Sequence, residues 1–126
     1  MSDSPHVIDE GYVKYDSEWL DGPAPDSTHV AELERWRAPL YDAGLIGYDE
    51  EHNVGYGNIS VRAETPGQFV ISGTQTGHLA ETGDDHYALV TDVDIDANRV
   101  CSVGPIAASS EAMTHAALYA LGANVA

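Results

Sequence analysis

The stretch that decides the fold is residues 104–122, with the sequence GPIAASSEAMTHAALYALG. It begins with a proline turn and two adjacent serines, and serine is a residue type that caps helix N-termini. Good helix formers follow, and Gly122 stands where a helix would end. The pattern predicts a short helix whose first turn contains Ser109, Ser110 and Glu111. Its apolar spacing predicts a buried face made of Met113, Ala117, Leu118 and Leu121.

The start of this helix has the chemistry of an anion site. Free backbone N–H groups and the positive end of the helix dipole meet there, and both favour a phosphate group. Glu111 can serve as a base or a metal ligand, and His115 follows one turn later on the same face. From these residues alone, Glu111 fits equally a structural role in which it complements the dipole, worth about 0.3–1 kcal/mol.

Charge limits the classes of partner. The chain has 126 residues, a formal net charge of −16, 21 acidic and 5 basic residues. Five basic residues are too few to form a basic patch. The composition therefore predicts no binding to nucleic acid or to anionic membranes. The acid excess is spread along the chain and Lys14 is the single lysine. This pattern is typical of a halophilic protein surface.

Stability is therefore expected to rise with salt. Repulsion among exposed carboxylates should weaken as the Debye length falls from about 30 Å at 0.01 M to about 3 Å at 1 M salt. Thermal melts followed by circular dichroism from low ionic strength to molar potassium chloride test this. A melting temperature that stays flat or falls with added salt would contradict the expectation.

Location and redox state follow from two further features. The sequence has no run of 18 apolar residues, and its N-terminus lacks the basic and apolar regions of a signal peptide. Cys101 is the only cysteine, so no intramolecular disulfide can form, and its setting predicts a small buried strand residue. The protein is expected to be soluble and cytoplasmic.

The rest of the chain predicts an α+β domain. Residues 1–25 are expected to form an irregular arm with short strands at residues 7–8 and 12–15, and residues 26–126 the domain. A helix should start near Asp26, with a kink or break near Arg37 because Pro39 lies inside its pattern. Strands are predicted from Asn58 to Arg62, entered through a glycine-rich bend, and at residues 68–72, 87–92 and 100–103, with a helical turn over 80–85. Helices should pack on a largely antiparallel sheet.

Two loops could supply further donors to an anion. Residues 57–60 (GNIS) enter a strand through a glycine-rich bend, and residues 73–77 (GTQTG) form an uncharged loop of glycines and hydroxyls. The spacing Gly-x-Gly-x-x-Ser beginning at Gly55 does not indicate a dinucleotide site, because the third glycine is missing and a strand follows.

Together, residues 57–60, residues 72–74 and the helix opening at Ser109 resemble the class II aldolase/adducin family over roughly residues 36–125. The resemblance implies an αβα sandwich around a largely antiparallel sheet, assembled as a homo-oligomer, usually a tetramer. It implies a small, phosphorylated hydroxy-carbonyl substrate and a divalent metal, usually zinc. Glu111 would be the catalytic acid/base and a metal ligand, and the phosphate would be held by Asn58, Gly73, Thr74, Ser109 and Ser110.

The family takes its metal histidines from a His-x-His on the strand after this helix and from a third histidine further on. That strand would begin near the last residues of this sequence, so the resemblance implies the N-terminal portion of such a domain, inactive alone. Two classes of function remain. One is a lyase, with sugar-phosphate epimerase and dehydratase as related alternatives. The other is a non-catalytic scaffold like the adducin head.

Overall fold

The computed structural model describes residues 15–121 and gives an α+β fold. Two helices, α1 and α2, and seven strands, β1 to β7, follow each other in the order β1 (Asp16–Asp21), α1 (Ser27–Asp42), β2 (Gly47–Asp49), β3 (Val54–Tyr56), β4 (Ser60–Arg62), β5 (Phe69–Ser72), β6 (Tyr87–Asp94), β7 (Arg99–Gly104) and α2 (Ala112–Leu121). Five strands form one sheet in the order β1-β7-β6-β5-β4, and β2 pairs with β3 separately. No helix within residues 15–121 is long and apolar enough to cross a membrane.

The two helices cover opposite faces of the five-stranded sheet. Side chains alternate across a strand, so Val70 packs with Val30 and Leu33 of α1. Its neighbour Ile71 packs in a second cluster with Ala112 and other residues of α2. The chain thus forms three layers with a core on each side of the sheet, and the predicted α+β class is confirmed.

The sheet is largely antiparallel, as predicted, but one strand comes from the arm. The β4–β5, β5–β6 and β6–β7 pairs are antiparallel. Residues Asp16–Asp21, predicted to be irregular, form β1 and pair parallel with β7. A long-range parallel partner leaves no local signature, which explains the error. The strands predicted at residues 7–8 and 12–14 lie outside the described residues, and Tyr15 is not in a strand.

Helix α1 begins where the sequence predicted but has no break at Pro39. The Asp26 carboxylate caps it by accepting a hydrogen bond from the Thr28 N–H at 2.8 Å. The helix runs on to Asp42, and the Pro39 carbonyl accepts a bond from the Ala43 N–H. Pro39 lies in the last turn, so its missing donor costs one bond near the end and does not divide the helix.

The strand predicted to begin at Asn58 after a glycine-rich bend is β4, and the residues before the bend form a further strand, β3. Gly57 has φ of +86° and turns the chain between β3 and β4, which then pair with different partners. The helical turn predicted over 80–85 is a short 3-10 turn at Asp84–His86.

Helix α2 begins later than predicted, and of the predicted buried face Met113 packs against the core whereas Leu118 and Leu121 do not. Its first residue is Ala112, so Ser109, Ser110 and Glu111 form the turn before it. The buried residues are Ala112 and Ala116. Leu118 is exposed and Leu121 is 84% exposed. The small side chains Ala112 and Ala116 pack in the core cluster on this side of the sheet, with Met113 and Tyr119 partly buried against it.

Candidate functional site

Backbone hydrogen bonds join the three donor-rich segments of the sequence. The Ser109 N–H donates to the Ser72 carbonyl at 3.1 Å, and the Thr74 N–H donates to the Ala107 carbonyl at 2.9 Å. Gly73 forms an isolated antiparallel bridge with Ala108. Residues 72–74 therefore run directly beside the turn that leads into α2.

Asn58 is fixed to the same place by its side chain. Ser72 Oγ accepts a hydrogen bond from the Ile59 N–H and donates its own proton to Asn58 Oδ1, both at 3.2 Å. With Oδ1 engaged in this way, the amide nitrogen of Asn58 is the end left to donate. It has no protein hydrogen-bond partner within residues 15–121.

A cleft of about 770 Å³ opens where these segments meet. Its walls come from the β2–β3 hairpin, the Gly57 bend, Gln75 and the start of α2. Of the predicted site residues, Asn58, Ser110 and Glu111 line it, whereas Gly73, Thr74 and Ser109 do not. A second cleft of about 580 Å³ lies between α2 and the β6–β7 turn and contains none of the predicted site residues.

The three predicted residues outside the cleft wall have structural contacts instead. Ser109 is almost fully buried, and its Oγ accepts a bond from the Glu111 N–H at 3.0 Å, which caps the turn before α2. A Cβ at Gly73 would lie 2.6 Å from side-chain atoms of Ile106. Glycine at this position therefore allows the segments that contain Gly73 and Ile106 to approach closely. Thr74 contributes its backbone N–H to the join described above.

Glu111 lies at the cleft wall one turn before His115. Its Oε1 accepts a hydrogen bond from Thr114 Oγ1 at 3.1 Å, which orients the carboxylate, and the side chain is partly exposed. A positioned carboxylate of this kind can accept a proton from a group bound in the cleft and later return it.

His115 is held by its neighbours on the side away from the cleft. Its Nδ1 lies 2.6 Å from Ser60 Oγ, which lies 2.8 Å from the Tyr119 hydroxyl. Burial lowers the pKa of His115 below its usual value, and the nearby Glu111 charge opposes this only in part. The imidazole is therefore neutral at pH 7.

The β2–β3 hairpin brings together Asp49, Glu51 and His52, whose ligand-type atoms lie within 4.8 Å of one another. His52 Nδ1 is 2.8 Å from Asp49 Oδ2, and this hydrogen bond lowers the pKa of Asp49. Asp49 Oδ1 also accepts bonds from the N–H groups of Glu51 and His52. These hydrogen bonds explain why the three side chains lie together in the hairpin turn. Their carboxylate and imidazole atoms are of the kind that bind divalent cations.

The zinc implied by the resemblance does not fit the described residues at Glu111. A catalytic zinc takes three protein ligands. Within residues 15–121, no group of three histidine, cysteine or carboxylate side chains close enough to share an ion includes Glu111. The carboxylate can therefore be assigned a role in proton transfer or orientation, but not a complete metal site.

Several residues at this site were not predicted from the sequence. Gln75 has φ of +60° and lines the cleft, as do Asp49 and His52. His115, which the sequence places one turn after Glu111 on the same face, also lines the cleft although it was assigned no role. The spacing Glu-x-x-x-His was visible in the sequence, but the partners Ser60 and Tyr119 were not.

No family model, curated protein or solved structure matches this chain. The fold and the cleft define an α+β domain with a small site made of amide, hydroxyl, carboxylate and imidazole groups.

Proposed function

We propose that this chain is an aldolase-like domain of the class II aldolase/adducin kind that binds a small phosphorylated hydroxy-carbonyl compound in the Asn58–Glu111 cleft. The observation that carries the proposal is the joining of three distant segments so that Asn58, Ser110 and Glu111 line one cleft. In this proposal the αβα layers are those of the family, and the reaction is that of a lyase.

Each residue has a role that its contacts support. The Asn58 amide nitrogen donates to a phosphate or hydroxyl oxygen, because Ser72 already occupies its carbonyl oxygen. Ser110 contributes to the wall beside it. Glu111 moves a proton at the carbon beside the substrate carbonyl, where the reactions of this family form or break bonds.

Two features favour the non-catalytic alternative, a scaffold domain that keeps the fold. Residues 15–121 supply no complete metal site at Glu111. Large apolar side chains are also exposed on both helices, including Trp36, Leu118 and Leu121. We propose a homo-oligomer, a tetramer by the resemblance, in the cytoplasm for either function.

Exchanging the Asn58 amide for a carboxylate separates these functions. Asn58→Asp keeps the oxygen that accepts from Ser72 but replaces the donor with a negative charge. We expect binding of dihydroxyacetone phosphate to weaken at least 10- to 100-fold, as for a lost hydrogen bond to a charged group of about 1.5–3 kcal/mol. Calorimetric titration in buffered potassium chloride measures this, with dihydroxyacetone as the ligand that lacks phosphate.

Gln68→Glu is the matched control, because it makes the same amide-to-acid change outside this cleft. Its affinity should stay within about twofold of the unmodified chain, since the added charge is screened by salt. Equal losses in both variants would show a general charge effect. No binding by the unmodified chain would favour the scaffold.

A further inference from the structure

We propose that His115 is a ligand-binding residue of the cleft, donating a hydrogen bond from Nε2 to an oxygen of the bound compound beside Glu111. This inference rests on the proposed function, because it adds a donor to the same site. Three observations carry it.

The ring has one edge in the protein and one edge at the cleft. Ser60 and Tyr119, which engage the Nδ1 edge, do not line this cleft, whereas His115 does. Within residues 15–121, Nε2 has no hydrogen-bond partner and is not among the buried polar atoms that lack one. The edge that carries Nε2 is therefore the one presented to the cleft.

We infer the position of the ring proton from the partners of Nδ1. An N–H donor usually lies about 2.7–3.2 Å from its acceptor, while O–H donors approach to about 2.5–3.0 Å. The 2.6 Å separation of Ser60 Oγ and His115 Nδ1 fits a serine hydroxyl that donates to an unprotonated nitrogen. The proton of the neutral ring then sits on Nε2.

Tyr119 favours hydrogen-bond donation from Ser60 to His115. A phenol hydroxyl is a better donor than a serine hydroxyl because it is more acidic. The Tyr119 hydroxyl lies 2.8 Å from Ser60 Oγ, and either oxygen can be the donor. In this proposal the phenol donates, which leaves the serine proton for Nδ1. Ser60 and Tyr119 are thus positioning residues that keep a fixed N–H donor at Nε2.

The neighbours of His115 suit a ligand with several oxygens. Asn58 offers a donor and Glu111 an acceptor on the same cleft. A phosphorylated hydroxy-carbonyl compound has phosphate, carbonyl and hydroxyl oxygens that accept from donors, and hydroxyl groups that can donate to Glu111. An imidazole N–H matches the carbonyl or a phosphate oxygen.

Nitrogen-15 spectra of the histidine side chains in the full 126-residue chain test the proposal. His115 should show an unprotonated Nδ1 and a protonated Nε2, and its Nε2 signal should move to saturation with dihydroxyacetone phosphate. Ser60→Ala should give a mixture of tautomers and weaken binding on the order of tenfold, about one neutral hydrogen bond. Ser60→Thr should restore both properties.

Two replacements of His115 separate donation from packing. His115→Gln places an amide donor near the position of Nε2 and should keep part of the affinity, whereas His115→Leu should lose it on the order of tenfold. Circular dichroism confirms that each variant is folded. The His78 and His86 signals serve as internal references, because neither residue lines the cleft.

The outcomes distinguish the two proposals. A protonated Nδ1 in the free protein overturns the inference. Binding that is sensitive to Asn58→Asp but leaves the His115 signals unchanged also overturns it and leaves the proposed function standing. No binding of dihydroxyacetone phosphate at all overturns both.

Discussion

Replacing Gly57 by alanine is expected to lower the free energy of unfolding by about 2–5 kcal/mol. Gly57 has φ of +86°, where a side chain is strained. An added Cβ would also lie 2.2 Å from the Leu45 carbonyl oxygen and 2.7 Å from Ile46 Cα. Both obstacles are backbone atoms, so the clash cannot be relieved by rotating a side chain. Urea denaturation in molar potassium chloride measures the loss.

Gly67→Ala is a close control for this experiment. Gly67 has φ of +85°, but an added Cβ would meet no atom within 4 Å. The variant therefore shares the backbone strain without the clash and should lose only about 1 kcal/mol. If both variants lost the same amount, the contact between Gly57 and residues 45–46 would not contribute to stability.

The Gly57→Ala substitution should also alter the cleft. Gly57 lines it and is followed directly by Asn58. A displaced bend would move the Asn58 amide away from Ser72, which fixes its orientation. Ligand affinity in the folded fraction of Gly57→Ala should therefore fall, while Gly67→Ala should bind normally.

Arg37→Ala is expected to have the second large effect, a loss of about 3 kcal/mol or more. Arg37 is only 3% exposed. Its Nη2 donates to the carbonyls of Thr76 and Leu79 at 3.0 and 2.9 Å, and its guanidinium lies over the Tyr41 ring. Truncation leaves the two carbonyls without this charged donor and removes the packing of the side chain. The midpoint of urea unfolding should shift accordingly.

Arg35→Ala removes the same charge from the same helix and serves as the control. Arg35 is exposed, and its Nη2 pairs with Glu32 Oε1 at 2.8 Å on the surface. Such pairs contribute about 0–1 kcal/mol. A similar loss in both variants would mean that the net charge, rather than the buried contacts of Arg37, determines stability.

Much of the fold was readable from local sequence. The start of α1 near Asp26 and the strands predicted at residues 68–72, 87–92 and 100–103 follow from residue types that act on their own neighbours. For the site, the sequence predicted Asn58, Ser110 and Glu111, and all three line one cleft.

Only the tertiary structure decided the features that depend on distant partners. Residues 16–21 form a strand because they pair with the edge of β7, although their own sequence gives little indication of a strand. Ser109 caps the turn before α2, and Gly73 allows Ile106 to pack closely against it. Both roles depend on segments that are brought together by the fold. His115 acquired its orientation from Ser60, 55 residues earlier in the chain. Local patterns encode contacts within a few residues, whereas these roles arise from hydrogen bonds and packing that exist only once the sheet is assembled.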